Sequence, residues 1–197
     1  VKSYFSKAGT VSSWWEPEKS DKSHIFKRET EVLERMLNEE GIENALDVAC
    51  GKGRVSRMLN QRGIETISLD ISQDMLDIGH RRGCIMNSKV GDAENLPFDS
   101  NSFDLVVCTD ALVHFPNPKR AISEAYRVLR NGGIYLCTTS NPYDLSFIPR
   151  AVSKRIRTIF NKDSSNKGDG IFRYISHNKM RKSLIKKGFK IEVDARL

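Results

Sequence analysis

The sequence predicts an α/β domain with a mostly parallel sheet and helices on both faces, and three observations predict it. An apolar run, Ala45-Leu46-Asp47-Val48, enters a turn carrying Gly51 and Gly53, and a helix opens behind it with Val55, Met58 and Leu59 on one face. Strand-like and helix-like patterns then alternate to about residue 140, the order that builds βαβ units with right-handed crossovers. A length of 197 residues, 39% hydrophobic and 29% charged, suits one soluble domain with a substantial core.

Residues 20–38 repeat Ile25, Phe26, Val32, Leu33, Met36 and Leu37 at helical spacing. Strand one is about 45–49, and its helix ends at Gly63. Strand two is 65–70. The next helix starts at Ser72, whose hydroxyl suits an N-cap. It closes on His80, Arg81 and Arg82 before Gly83, cations where the helix dipole favours them. Strand three lies near 85–90 and strand four at 103–108. Pro118 fits the first position of a helix that turns Ala121, Ile122, Ala125, Tyr126 and Leu129 toward the core and stops at Asn131-Gly132-Gly133. Strand five is 134–138. A last helix runs from about Ser176 to Lys187, with Gly188 past its end, and a strand over 189–197 follows.

The net charge of +7 is unevenly placed. Residues 1–145 hold 18 Lys and Arg against 21 Asp and Glu, a balance of −3, and residues 191–197 add −1. Residues 146–190 hold 13 basic residues against only Asp163 and Asp169, a balance of +11. Between strand five and the last helix, Leu145, Ile148, Val152, Ile156 and Ile159 fall at helical spacing, interleaved with Arg150, Lys154, Arg155 and Arg157. The pattern is a basic amphipathic helix. It covers an acceptor pocket, lies on an anionic membrane surface, touches nucleic acid, or is a solvated helix with one core face. The stretch 161–170 has the composition of a loop.

No apolar run approaches the ~20 residues that span a bilayer, and the N-terminus lacks the apolar core of a signal peptide. Cys50, Cys84, Cys108 and Cys137 form no CxxC pair, so a reducing, cytoplasmic setting is expected. The first residue is Val1 rather than Met, which suggests a trimmed or partial version of a longer chain. No His/Cys/Asp cluster has metal-ligand spacing, and no metal is expected. The absence of GxxxxGK[ST] excludes phosphate-loop nucleotide hydrolysis.

The turn after strand one decides the cofactor. A glycine turn and a helix N-terminus at the carboxyl edge of a parallel sheet bring backbone N–H groups to a ligand. Asp47 lies ahead of both glycines, where a carboxylate repels a pyrophosphate and attracts a cationic amino group. The site reads as one for S-adenosylmethionine. Gly51-x-Gly53-x-x-Ser56 also lacks the third glycine of a nicotinamide dehydrogenase.

Four further segments follow in order: Ser68-Leu69-Asp70, Gly91-Asp92-Ala93-Glu94-Asn95-Leu96-Pro97-Phe98, Phe103-Asp104-Leu105-Val106-Val107-Cys108, and Glu124-Ala125-Tyr126-Arg127-Val128-Leu129-Arg130-Asn131-Gly132-Gly133. With Leu46–Gly53 they cover about half the chain, and residues 45–140 resemble a class I S-adenosylmethionine-dependent methyltransferase of the type 11 group. The resemblance implies a Rossmann-like sheet and S-adenosyl-L-homocysteine as product. The family's sheet finishes with an antiparallel pair of strands. Only one is evident here, so the chain either stops short of the last of the usual seven or is a shortened member. Ala49 stands where the family usually has glycine, which implies a slightly shifted turn with binding retained.

On that resemblance, Asp47 with Ala49, Cys50, Gly51 and Gly53 would hold the amino and carboxylate ends of the methionine moiety. Asp70 would accept both ribose hydroxyls; its bland role is that of a helix N-terminal acid. Ile71 and Met75 would pack on the adenine, with a core position as the alternative for Met75. Asp92 would accept the adenine amino group, and Ala93 would offer its N–H to the ring. Thr109, with Asp110, lies at the lip where the methyl points. His114 is the candidate base, against a role in the wall of the site. A sulfonium is already an activated methyl donor, so positioning and exclusion of water supply much of the acceleration.

The flanks carry the choice of acceptor. Tyr4, Phe5, Trp14 and Trp15 in residues 1–44 resemble the family's variable lid, 141–175 is the basic cap, and 176–197 is the terminal helix and strand. All are expected in one domain. The predicted acceptor is a small or lipid-like molecule. The alternatives are a tRNA or rRNA, reached through residues 146–190, and a noncatalytic binding protein on the same fold.

Overall fold

The computed structural model describes residues 41–138 and 177–191, together with 27, 30, 31, 33–35 and 37. In chain order the elements are β1 (Asn44–Val48), α1 (Arg54–Gln61), β2 (Glu65–Asp70), α2 (Gln73–Arg81), β3 (Asn87–Val90), β4 (Phe103–Cys108), a 3-10 turn (Leu112–His114), α3 (Pro118–Val128), β5 (Leu129–Cys137) and α4 (His177–Lys187). The five strands form one sheet in the order β3-β2-β1-β4-β5, every pair parallel. The order reverses between β1 and β4, the switch point beside which ligands bind in open α/β sheets.

Local chemistry sets the helix ends. Ser72 Oγ accepts the Met75 N–H at 3.4 Å to start α2, and Gly83 leaves it at φ 65°. Asn117 caps α3 by accepting the Arg120 N–H at 3.3 Å, with Pro118 in the first turn. Gly63, at φ 77°, closes α1.

Both faces of the sheet are covered, and alternate residues of β4 show it. Val106 and Cys108 join one core with Leu46, Leu112, Ile122, Val128 and Met180 of α4. Leu105 and Val107 join the other with Ala45, Leu59, Leu33 and Leu37. Strands buried on both sides read as continuous apolar runs, which is how β4 is written.

Three expectations change at their edges. The α3 helix ends at Val128, because Leu129 turns extended (φ −72°, ψ 140°) and pairs with Phe103. Pairing resumes only at Leu105 with Ile134, so Arg130–Gly133 bulge, with Gly132 at φ 81°. Tyr126 is 42% exposed rather than core; its ring meets Phe189 edge-on at 5.0 Å, and Phe189 stacks on Tyr135 at 5.4 Å. Phe189–Ile191 are not in a strand, and the remainder of the predicted terminal strand lies outside the described residues. So do the aromatics of the lid, the basic segment 141–175, and most of the helix over 20–38, of which 27, 30, 31 and 33–35 are helical.

Candidate functional site

All five strands deliver their carboxyl ends to one edge, so the segments that follow them converge. The turn after β1 holds three left-handed residues in five: Ala49 at φ 56°, Gly51 at 57° and Gly53 at 82°. Glycine adopts this region freely, whereas a Cβ costs roughly 1–2 kcal/mol. A Cβ on Gly51 would meet nothing within 4 Å, so open space lies above it. One on Gly53 would collide with Ile85 Cγ1, because the chain leaving α2 packs against the turn there.

Asp70 ties the turn to its neighbours. Its Oδ2 accepts the Gly51 N–H at 2.9 Å, its Oδ1 accepts the Ser72 N–H at 2.9 Å, and its carbonyl oxygen accepts the Gly91 N–H at 2.9 Å. The Cys50 N–H adds a bond to Leu69 O at 3.0 Å. Burial pushes the Asp70 carboxyl above its ordinary value, with the Ser72, Gly51 and Ile71 N–H groups opposing. A carboxylate offers about four lone-pair sites, so acceptor capacity remains for a diol.

Asp47 sits behind the turn, 1% exposed. Its Oδ2 accepts from Ser56 Oγ at 2.6 Å, and Ser56 Oγ accepts from Ser68 Oγ at 2.7 Å. Burial raises its pKa to about 6, against the pull of the Ser56 bond and the Arg54 charge. Its reach to a ligand is therefore through the field of its charge and through the backbone it braces.

After β3, Asp92 Oδ1 accepts the Glu94 N–H at 2.8 Å, and Ala93 is buried at 7%. Ile71 is half-buried, whereas Met75 is buried at 4%, so Ile71 has the surface left for a ring. After β4, Thr109 is half-buried and Asp110 is left-handed at φ 52°. The Asp110 N–H donates to Thr138 Oγ1 at 3.0 Å, and the Thr138 N–H donates to Cys108 O at 3.2 Å. His114 lies in the 3-10 turn, and burial lowers its pKa, which favours the neutral ring.

The structure thus joins the first turn, Asp70 and the Gly91–Asp92 loop by direct hydrogen bonds, and sets Thr109 and His114 on the same edge. Open space over Gly51 and acceptors at Asp70 and Asp92 fit an amino acid joined to an adenosine. The sequence left Ser56, Ser68 and Thr138 unassigned. Hydroxyls at inward positions of a helix and a strand were the available signal for the first two. Among the described residues, no group of three His, Cys, Asp or Glu side chains could hold a metal ion. A cavity of about 580 Å³, lined in part by Asn44, Glu65, Phe98 and Phe103, opens at the opposite, amino edge.

Comparison with known proteins bears on the domain and its fold. Residues 46–137 match the family model described as a methyltransferase domain. The chain is 34% identical over 128 residues to a demethylmenaquinone methyltransferase of Renibacterium salmoninarum, covering 63% of this chain and 54% of that one. It is 33% identical over 131 residues to a malonyl-[acyl-carrier protein] O-methyltransferase of Salmonella typhimurium, covering 66% and 51%. The chain spans about half the length of these relatives. Among solved structures, a candidate methyltransferase of Bacillus halodurans superposes with a TM-score of 0.66 at 27% identity, over 84% of this chain and 71% of that one.

Proposed function

Residues 46–137 are an S-adenosylmethionine-dependent methyltransferase domain of the class I, type 11 group, and on that premise we propose that the protein transfers a methyl group to a small or lipid-like acceptor. The observation that carries the reading is Asp70 at the hub of three segments, with the open turn of Gly51 beside it. The cofactor supplies an electrophilic methyl on a sulfonium. The chain's residues bind, orient and keep out water. Asp70 accepts the ribose hydroxyls, Asp92 and the Ala93 N–H read the adenine, and the Ala49–Gly53 backbone receives the amino acid end in the field of Asp47. His114, on the same edge, would be the group to hold the acceptor's proton.

Two relatives are named for demethylmenaquinone and for malonyl-[acyl-carrier protein], neither of them a nucleic acid, which favours the small or lipid-like acceptor. A second observation bears on where such an acceptor is met. The α4 helix carries Lys179, Arg181, Lys182, Lys186 and Lys187 and no acid, with Met180 buried and Ile185 47% exposed. A basic face with an exposed apolar residue suits an anionic lipid surface. No helix among the described residues is long and apolar enough to cross a membrane.

Calorimetry with S-adenosylmethionine and S-adenosylhomocysteine tests the site. Both bind the wild type, and Asp70→Ala weakens binding by about 1.5–3 kcal/mol, the range for hydrogen bonds to a charged group. No heat from folded wild type at high micromolar ligand ends the proposal. Labelled methyl transfer into fractionated cell extract then separates acceptors, and label in nuclease-sensitive material overturns the small-molecule choice.

A further inference from the structure

The loop between β3 and β4 is fastened to α3 at three alternate residues. Arg120 Nε donates to Glu94 O at 2.8 Å. Glu124 Oε2 accepts the Leu96 N–H at 2.9 Å. The Arg127 guanidinium donates to Leu96 O at 3.0 Å and to Phe98 O at 2.8 Å. The Glu94 carboxylate returns the contact, accepting the Asn117 N–H at 2.6 Å. An extended strip thus lies along the helix, with Leu96 itself buried at 4%.

Glu124 and Arg127 are the centre of this clip. They stand one turn apart, and Arg127 Nε and Nη2 donate to the two Glu124 oxygens at 2.9 and 2.8 Å. Such a two-pronged pair fixes both side chains, and between them they take the N–H and the C=O of Leu96. Removing either strands a buried backbone group. The same loop begins with Asp92 and Ala93, whose own turn supplies the Glu94 N–H to Asp92 and an Asn95 N–H to Asp92 O at 3.0 Å.

We propose that Glu124 and Arg127 are positioning residues for adenine recognition: by fastening Leu96 and Phe98 to α3 they set where Asp92 and Ala93 meet the ring. The inference rests on the reading that these two residues bind adenine. Adenine presents an amino donor beside a ring-nitrogen acceptor, matching a carboxylate and an N–H. Hypoxanthine presents the reverse pattern at the same positions. A loop fixed to within a fraction of an ångström discriminates between the two; a loop free to shift accommodates both.

The test measures the affinity of the whole protein for S-adenosylhomocysteine and for S-inosylhomocysteine, in the wild type and in Glu124→Gln, Arg127→Lys and Arg127→Met. The wild type prefers the adenine ligand by about tenfold or more, the worth of one hydrogen bond to a charged group. In Arg127→Met the preference falls below about threefold. Glu124→Gln, which keeps an acceptor for Leu96 but loses the charge pair, lies between. A residue that served stability alone would lower the melting temperature and leave this ratio untouched. Folded variants with the wild-type ratio overturn the proposal and leave the adenine reading standing. A wild type with no preference overturns that reading and the proposal together. If Arg127→Met does not fold, Arg127→Lys and Glu124→Gln decide by the same ratio.

Discussion

Asp47→Asn isolates the cost of keeping a charge behind the cofactor turn. The Asp47 carboxyl is 1% exposed and its pKa is raised from 3.8 to about 6, with burial the largest cause. The folded state therefore holds this proton more tightly than the unfolded chain does. Its contribution to stability is fully present below pH 3.8 and is lost as pH rises through about 6. The span corresponds to about 3 kcal/mol. Asparagine keeps the shape and an oxygen to accept from Ser56, but it does not titrate. Denaturant unfolding of both proteins at steps from pH 4 to pH 8 reads the difference directly. Relative to the variant, the wild type should lose about 2 kcal/mol across that range, the part of the span that remains at pH 4, with the steepest change between pH 4 and 6. Comparing the two removes the titrations of groups that do not feel the Asp47 charge. A difference that is flat with pH would refute the reasoning, because the buried carboxylate would then not be charged at the expense of the fold.

Three further outcomes follow from the geometry. Gly53→Ala should destabilise by about 2–5 kcal/mol in thermal unfolding, since it adds a left-handed Cβ and a collision with Ile85; Gly51→Ala, with open space around its Cβ, should cost only the left-handed ~1–2 kcal/mol while weakening S-adenosylhomocysteine. Reversing Lys182 and Lys186 to Glu should release the protein from phosphatidylglycerol vesicles by at least about 1 kcal/mol per residue with cofactor affinity unchanged, and equal sedimentation of wild type and variant would remove α4 from the surface reading.

The sheet was legible because its signals are short-range and redundant. The cap at Ser72, Pro118 at the start of α3 and the apolar run of β4 each specify structure within a few residues, and each stands where the sequence places it. The end of α3 was not legible. Ala125, Tyr126 and Leu129 continue a helical spacing, yet Leu129 is buried as the first residue of β5. Its partner Phe103 lies 26 residues upstream, and a contact across that distance leaves no trace in a local pattern. Tyr126 differs for a related reason: its partner is Phe189, 63 residues downstream and beyond residues 141–175. Side-chain networks were hidden in the same way. Ser56 and Ser68 become a chain to Asp47 only when α1 is laid over β1 and β2.

Ala49 shows what a departure from a family pattern costs physically. The turn holds it at φ 56°, a conformation that a glycine adopts without penalty and an alanine at roughly 1–2 kcal/mol. Two things offset that cost. The Ala49 methyl packs against the core that includes Leu46 and Val106, and alanine has less freedom to lose from the unfolded chain than glycine does, worth about 0.4–1 kcal/mol. The residue is also pinned from outside: the next N–H, of Cys50, is tied to Leu69 O, and the one after it to Asp70. A turn fixed by β2 on one side has little choice of backbone angle. The glycine that the turn cannot spare is the one whose Cβ would strike Ile85, at position 53.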